Sequence, residues 1–118
     1  MAKELRKDKE GRILMGMMSK RKGSRGELEL SKFLSERGFE SRRGRQYSGD
    51  PSAPDMISAL PFYIECKRTE TLSVYKALDQ AETDSGDQPA VIFHRRNNKP
   101  WITILTAEEF LKIIKAYK

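Results

Sequence analysis

The chain has 118 residues, enough for one domain, with 37% hydrophobic and 34% charged residues and a formal net charge of +6. No apolar run approaches the ~20 residues that span a bilayer, a single cysteine excludes an internal disulfide framework, and one histidine with one cysteine excludes a His/Cys zinc site within one chain. A cytosolic protein with no membrane partner is expected, and the positive charge favours a polyanionic partner, nucleic acid before anionic lipid.

The basic residues gather at Lys3, Arg6, Lys7, Lys9 and Arg12, again at Lys20, Arg21, Lys22 and Arg25, and a third time at Arg42, Arg43 and Arg45. Residues 1–19 read as a basic N-terminal arm, its charge diluted by Glu4, Asp8 and Glu10, and residues 20–118 as the folded domain. The apolar patch from Ile13 to Met18 is too short for a transmembrane helix and lacks the cleavage pattern of a secretory signal; it reads as a satellite of the core, with a short helix or a dimer contact as the alternatives.

Lys20-Arg21-Lys22-Gly23 leads into the first expected helix. Ser24 with Glu27 fits a capping box, Leu28, Leu30, Phe33 and Leu34 give an apolar side, and Gly38 ends the helix. Glu27 has two readings. A capping glutamate needs no other role, yet Glu27 also stands three and seven positions before Leu30 and Leu34, at the edge of the stripe that faces the sheet.

Phe39 to Gln46 reads as a strand with the third basic group near its end, and Tyr47 to Ala53 as a loop rich in Gly, Ser, Asp and Pro. Arg42, Arg43, Arg45 and Ser48 are thereby placed to hold a sugar-phosphate chain. Strands are expected over Asp55–Leu60 and Phe62–Lys67, with Pro61 at their turn. In the second of these, side chains alternate faces, so Tyr63, Glu65 and Lys67 point one way while Phe62, Ile64 and Cys66 form core. A second helix runs from about Thr71 to Thr83, with Leu72, Tyr75 and Leu78 on one side and Val74, Ala77 and Ala81 widening it; Gln80 on this helix is placed to contact a water or phosphate. Ala90–His94 is an apolar, central strand, and lone His94 reads as a strand-end residue. A hairpin turn at Asn97-Asn98-Lys99 precedes the last strand, Trp101–Leu105. Thr106 and Glu109 form a capping box for a final helix that packs Phe110, Leu111, Ile113 and Ile114 on the sheet. The order is αβββαββ plus a C-terminal helix, an α/β chain with a central mixed five-stranded sheet flanked by helices.

The chemistry lies in Pro54-Asp55 followed by Glu65-Cys66-Lys67, which fits the PD-(D/E)XK signature. Asp55 and Glu65 offer the hard oxygen ligands that Mg²⁺ takes. An ion so held polarises a scissile phosphate and acidifies a bound water, while Lys67 holds that water or stabilises developing negative charge. The bland alternative is a Pro-Asp turn followed by a strand carrying a surface ion pair. Two nearby carboxylates raise each other's pKa without an ion between them, so metal binding should weaken at acidic pH and activity should rise towards neutral or alkaline pH.

The run Arg21-Lys22-Gly23-Ser24-Arg25-Gly26-Glu27-Leu28-Glu29-Leu30, then Gly38-Phe39, Asp55 and Ile64-Glu65-Cys66-Lys67, resembles the archaeal-type Holliday junction resolvases of the PD-(D/E)XK nuclease superfamily, which also holds phage replication-repair nucleases. The resemblance covers roughly residues 20–105 and implies a restriction-endonuclease-like core. It implies a Mg²⁺-dependent endodeoxyribonuclease, with Mn²⁺ as a substitute, that nicks four-way DNA junctions as a homodimer. It carries the metal site onto Asp55, Glu65 and the main-chain carbonyl of Cys66, with Glu27 acting directly or through water. Lys67 then acts on the water or phosphate. Lys20, Arg21, Lys22, Arg25, Arg42, Arg43, Arg45 and Ser48 are the expected DNA contacts. The competing readings are another nuclease of the superfamily, from a cell or a phage, that cuts flaps, single strands or duplex, and a DNA-binding module without catalysis. The residues before 20 and the helix after Leu105 depart from the family's shortest members and leave the dimer surface open.

Overall fold

A computed structural model describes the backbone of residues 15–44 and 56–117 and the side chains from Arg25 onwards within those ranges. The elements are α1 (Met15–Glu36), β1 (Ser41–Arg43), β2 (Met56–Ser58), β3 (Tyr63–Arg68), α2 (Val74–Ser85), β4 (Ala90–Arg95), β5 (Ile102–Ile104) and α3 (Ala107–Ala116). This is the expected order of three helices and five strands, an α/β chain of restriction-endonuclease-like type. Among the described residues the strands hydrogen-bond as two sheets rather than as one continuous five-stranded sheet: an antiparallel β1–β2 ribbon and a β3–β4–β5 sheet.

The first helix is longer than its sequence signals suggest. Ser24-x-x-Glu27 does not start it; α1 begins at Met15 and runs through the site of the expected cap. Met, Lys and Arg are good helix formers, so the stretch before Ser24 carries the helix on, and a four-residue capping signature inside it has no end to cap. The other terminus is as expected. Phe39 N–H donates to the Leu34 carbonyl at 2.9 Å and Gly38 N–H to the Ser35 carbonyl at 3.1 Å. With Gly38 at φ +93°, this is a Schellman close.

Sheet β3–β4–β5 has a parallel pair, β3 on β4, and an antiparallel pair, β4 on β5. The parallel pair is joined through α2, as a strand–helix–strand unit requires. Alternation on β4 sends Val91 and Phe93 to the α1 side, where they meet Leu30, Leu34, Met56 and Ile64. Ala90 and Ile92 go to the other side, against Ala77, Leu78 and Ala81 of α2. The sheet is thus covered on both faces, which is why β4 reads as an uninterrupted apolar run. Leu30 and Ile92 are fully buried, each contributing about 1.5–3 kcal/mol by removal from water.

Several side-chain expectations fail. Leu28 of α1 and Val74 at the start of α2, both read as part of an apolar side, are exposed. Tyr75 is exposed, because α2 turns Ala77, Leu78 and Ala81 inward and their small size lets the helix lie close to the sheet. Phe110, Leu111, Ile113 and Ile114 do not pack on the sheet: α3 has no buried residue. Its start is as read, since the Thr106 hydroxyl accepts from Glu109 N–H at 3.2 Å. The layer that α3 was expected to complete is already filled by α2.

Candidate active site

Glu65 sits in the middle of β3, beside Ile92 in the parallel register, and Lys67 sits beside His94. Ile64 belongs to the α1-side cluster and Ile92 to the α2-side cluster, so alternation turns Glu65 and Lys67 away from α1. Lys67 Nζ lies 3.5 Å from Glu65 Oε2. The Glu65 residue is only 7% exposed, so the bland reading of a surface ion pair does not hold. A carboxylate so removed from water needs a cation and hydrogen bonds to stay ionised.

Glu27 is also buried, at 9% exposure. Its Oε1 accepts from Arg43 Nε at 3.1 Å, joining α1 to β1. Arg43 is paired in register with Met56, which packs among the α1-side core and receives a 3.7 Å contact from the Ser31 hydroxyl. The glutamate expected at the edge of the helix stripe therefore faces the β1–β2 ribbon.

The other expected residues divide. Arg25 and Arg42 are exposed, whereas Arg43 is half-buried in its pair with Glu27. Gln80 donates to both carboxylate oxygens of Asp84 at 3.1 Å, on the exposed side of α2. Cys66 is half-buried on the α1 side of β3. Lys20, Arg21 and Lys22 fall within α1, but their side chains lie outside the described residues, as do Arg45, Ser48 and Asp55. Among the described residues no group of three His, Cys, Asp or Glu side chains converges. The donors that are described, two buried carboxylates, have the chemistry a hard cation takes. His94 donates from Nε2 to the Thr69 carbonyl at 3.0 Å, the strand-end role read for it.

Sequence reading passed over one cluster. Glu29 of α1 accepts from Arg68 Nε at 2.7 Å and pairs with Arg95 Nη1. Arg68 also donates to Asn97 Oδ1 at 3.1 Å, and Asn97 N–H donates to Glu70 Oε2 at 2.8 Å. The cluster ties α1, β3, β4 and the hairpin turn together. Its signal was present: Ile64, Cys66 and Arg68 alternate on the face that α1 covers, so an arginine there needs a carboxylate on α1.

A sheet covered on both faces, a Glu-x-Lys strand with its carboxylate buried, and a buried glutamate on the preceding helix are consistent with the PD-(D/E)XK nuclease class. The chain belongs to the archaeal Holliday junction resolvase family, whose family model matches residues 18–116. No curated protein matches the chain. Membership supports a DNA-junction nuclease at the level of the family. No helix among the described residues is long and apolar enough to cross a membrane.

Proposed function

We propose that the protein is a Mg²⁺-dependent, structure-selective endodeoxyribonuclease that resolves four-way DNA junctions by paired symmetric nicks, acting as a homodimer. The observation that carries this reading is the buried Glu65 carboxylate beside Lys67 on β3, in a chain of the resolvase family. Asp55 and Glu65, with the Cys66 carbonyl, would hold the ion, and Glu27 would bind or orient it. When bound, the ion polarises the scissile phosphate and lowers the pKa of a water.

The chain's own groups supply the rest. Lys67 keeps an ammonium beside the carboxylate, where it orients the attacking water or offsets charge that develops on the phosphate. Burial excludes bulk water from Glu65, which strengthens each of these interactions. Exposed Arg25 and Arg42, with Lys20, Arg21, Lys22, Arg45 and Ser48, hold the backbone, and Arg43 contributes through the position of Glu27. A four-way junction has approximate two-fold symmetry, so two matching nicks call for two matching sites.

Cleavage of a labelled four-way junction in Mg²⁺, beside matched duplex, flap and single strand, tests the substrate. Selective cutting of the junction supports a resolvase. Equal cutting of flap or duplex leaves a nuclease of the same superfamily and removes the resolvase.

A further inference from the structure

We propose that the cavity between the start of α2 and the β4–β5 hairpin holds one unstacked nucleotide of the DNA substrate, its base on an apolar floor and its phosphate against a cationic rim. The cavity has a volume of about 580 Å³, within the ~300–1,000 Å³ of small-molecule sites. Ala77, Leu78 and Ala81 of α2 cover Ala90 and Ile92, and beyond that contact the sheet face opens into the cavity. Leu72 and Ile104 are half-buried there against the α2-side cluster. Val74 and Ile102 also line it and are exposed. Large apolar groups left in water around one concavity mark a binding surface. Arg96 and Lys99, both exposed, line the same cavity. Among the described residues the one carboxylate in the lining is Glu70. It accepts from Asn97 N–H at 2.8 Å and stands 3.9 Å from Arg68, so the cavity presents positive charge over apolar surface.

That combination selects the occupant, because a nucleotide joins a flat, weakly polar base to an anion. The walls are held in place. Lys99 N–H donates to the Arg96 carbonyl at 3.2 Å and closes the hairpin that carries the rim. His94 Nε2 meets the Thr69 carbonyl at 3.0 Å, and the Thr69 hydroxyl donates to the Thr71 carbonyl at 2.7 Å, which ties the loop before α2 to β4. Lys67, His94 and Ile102 stand in one row across β3, β4 and β5. At ~4.8 Å per strand the floor lies roughly 10 Å from Lys67, on the sheet face that carries Glu65. An unstacked nucleotide next to a phosphate held at Lys67 spans that distance. Bases inside a duplex are paired and stacked and cannot enter, whereas a base at a point where strands part leaves the stack at least cost. The cavity thereby selects branched over linear DNA, and in that use it rests on the proposed function.

Titration of the full chain with dTMP, thymidine and inorganic phosphate, followed through the methyl resonances of Leu72, Val74, Ile102 and Ile104, tests the site without metal. All four should shift with dTMP, and thymidine and phosphate should each bind at least ~5-fold more weakly, since each keeps half of the contacts. Ile102→Glu and Arg96→Gln, both at exposed positions, should each weaken dTMP binding by a similar factor. In EDTA, a four-way junction with a fluorescent adenine analogue at the branch point should brighten on binding wild type, as the base leaves the stack, and should not brighten with Ile102→Glu. Methyl groups that ignore dTMP, phosphate that binds as well as dTMP, or methyl shifts set by protein concentration alone, as a second copy in the cavity would give, overturn the proposal. So does equal brightening by Ile102→Glu. A chain that binds dTMP in the cavity but cuts no junction removes the proposed function and leaves the site standing. Paired nicking without brightening does the reverse.

Discussion

A Cβ placed on Gly26 would stand 2.6 Å from Cβ of Arg68 and 3.3 Å from its Cγ. Helix α1 therefore approaches β3 at a point where only a missing side chain allows contact, next to the strand that carries Glu65 and Lys67. Because the obstructing atom sits at the root of the arginine, it cannot swing aside as a side-chain tip would. Gly26→Ala gains up to about 1 kcal/mol in helix propensity but forces α1 off the sheet, a strain of typically ~1–3 kcal/mol. The net expectation is a loss of stability in urea unfolding, together with weaker cleavage as Glu27 shifts with its helix. A stabilised Gly26→Ala variant would show that the contact is not tight.

Gly38 acts differently. Nothing lies within 4 Å of a Cβ there, but its φ of +93° is a left-handed conformation. Gly38→Ala should cost on the order of 1 kcal/mol from backbone strain alone, with cleavage by the folded fraction unchanged. Denaturation midpoints and specific activity, read together, check this against the Gly26 variant.

The Glu29 carboxylate lies between two guanidinium groups, Arg68 and Arg95. Glu29→Gln leaves two half-buried cations facing each other, and the expected loss is ~1–3 kcal/mol, the cost of unpairing groups held largely away from water. Glu36→Gln, at an exposed position on the same helix, should change stability by less than ~0.5 kcal/mol. Equal effects of the two would mean that the Glu29 cluster contributes nothing beyond surface charge.

Glu27 and Arg43, 3.1 Å apart, are close enough to couple. A double-mutant cycle with Glu27→Gln and Arg43→Met should return an interaction of ~0.5–3 kcal/mol. Arg43→Met alone should reduce cleavage less than Glu27→Gln, because it disturbs the position of the carboxylate rather than removing it. Arg42→Ala, at an exposed position on the same strand, should instead weaken DNA binding and flatten its salt dependence. A salt slope unchanged in Arg42→Ala would take that residue out of the DNA contact.

Much of this was readable from residue order. The alternation through Tyr63–Lys67 placed Glu65 and Lys67 on one face, the apolar run Ala90–His94 marked a central strand, as the order β3–β4–β5 has it, and Gly38 marked the end of α1. What escaped has physical causes. Ser24-x-x-Glu27 looks like a cap because capping is local, while helix length is decided by the residues before it and by the packing of Gly26 on β3. The burial of Glu65 could not be read, since it depends on α2 covering the face that β3 shares with Ile92. The amphipathic pattern of α3 showed an apolar side but not what it meets; a pattern names a face, and only the fold shows whether the sheet has room for it. Asp55, on which the signature half depends, lies outside the described residues, and its role stays where the motif put it.

The most direct test is to map the cuts on a four-way junction labelled on each strand, comparing wild type with Glu65→Ala and Lys67→Ala, in Mg²⁺ and in EDTA. The account predicts paired, symmetric nicks by wild type in Mg²⁺ alone. It predicts none above background in Glu65→Ala, a rate at least ~100-fold lower in Lys67→Ala, and junction binding retained in both variants. Nicks that persist in EDTA, or a folded Glu65→Ala that cuts as wild type does, would contradict it.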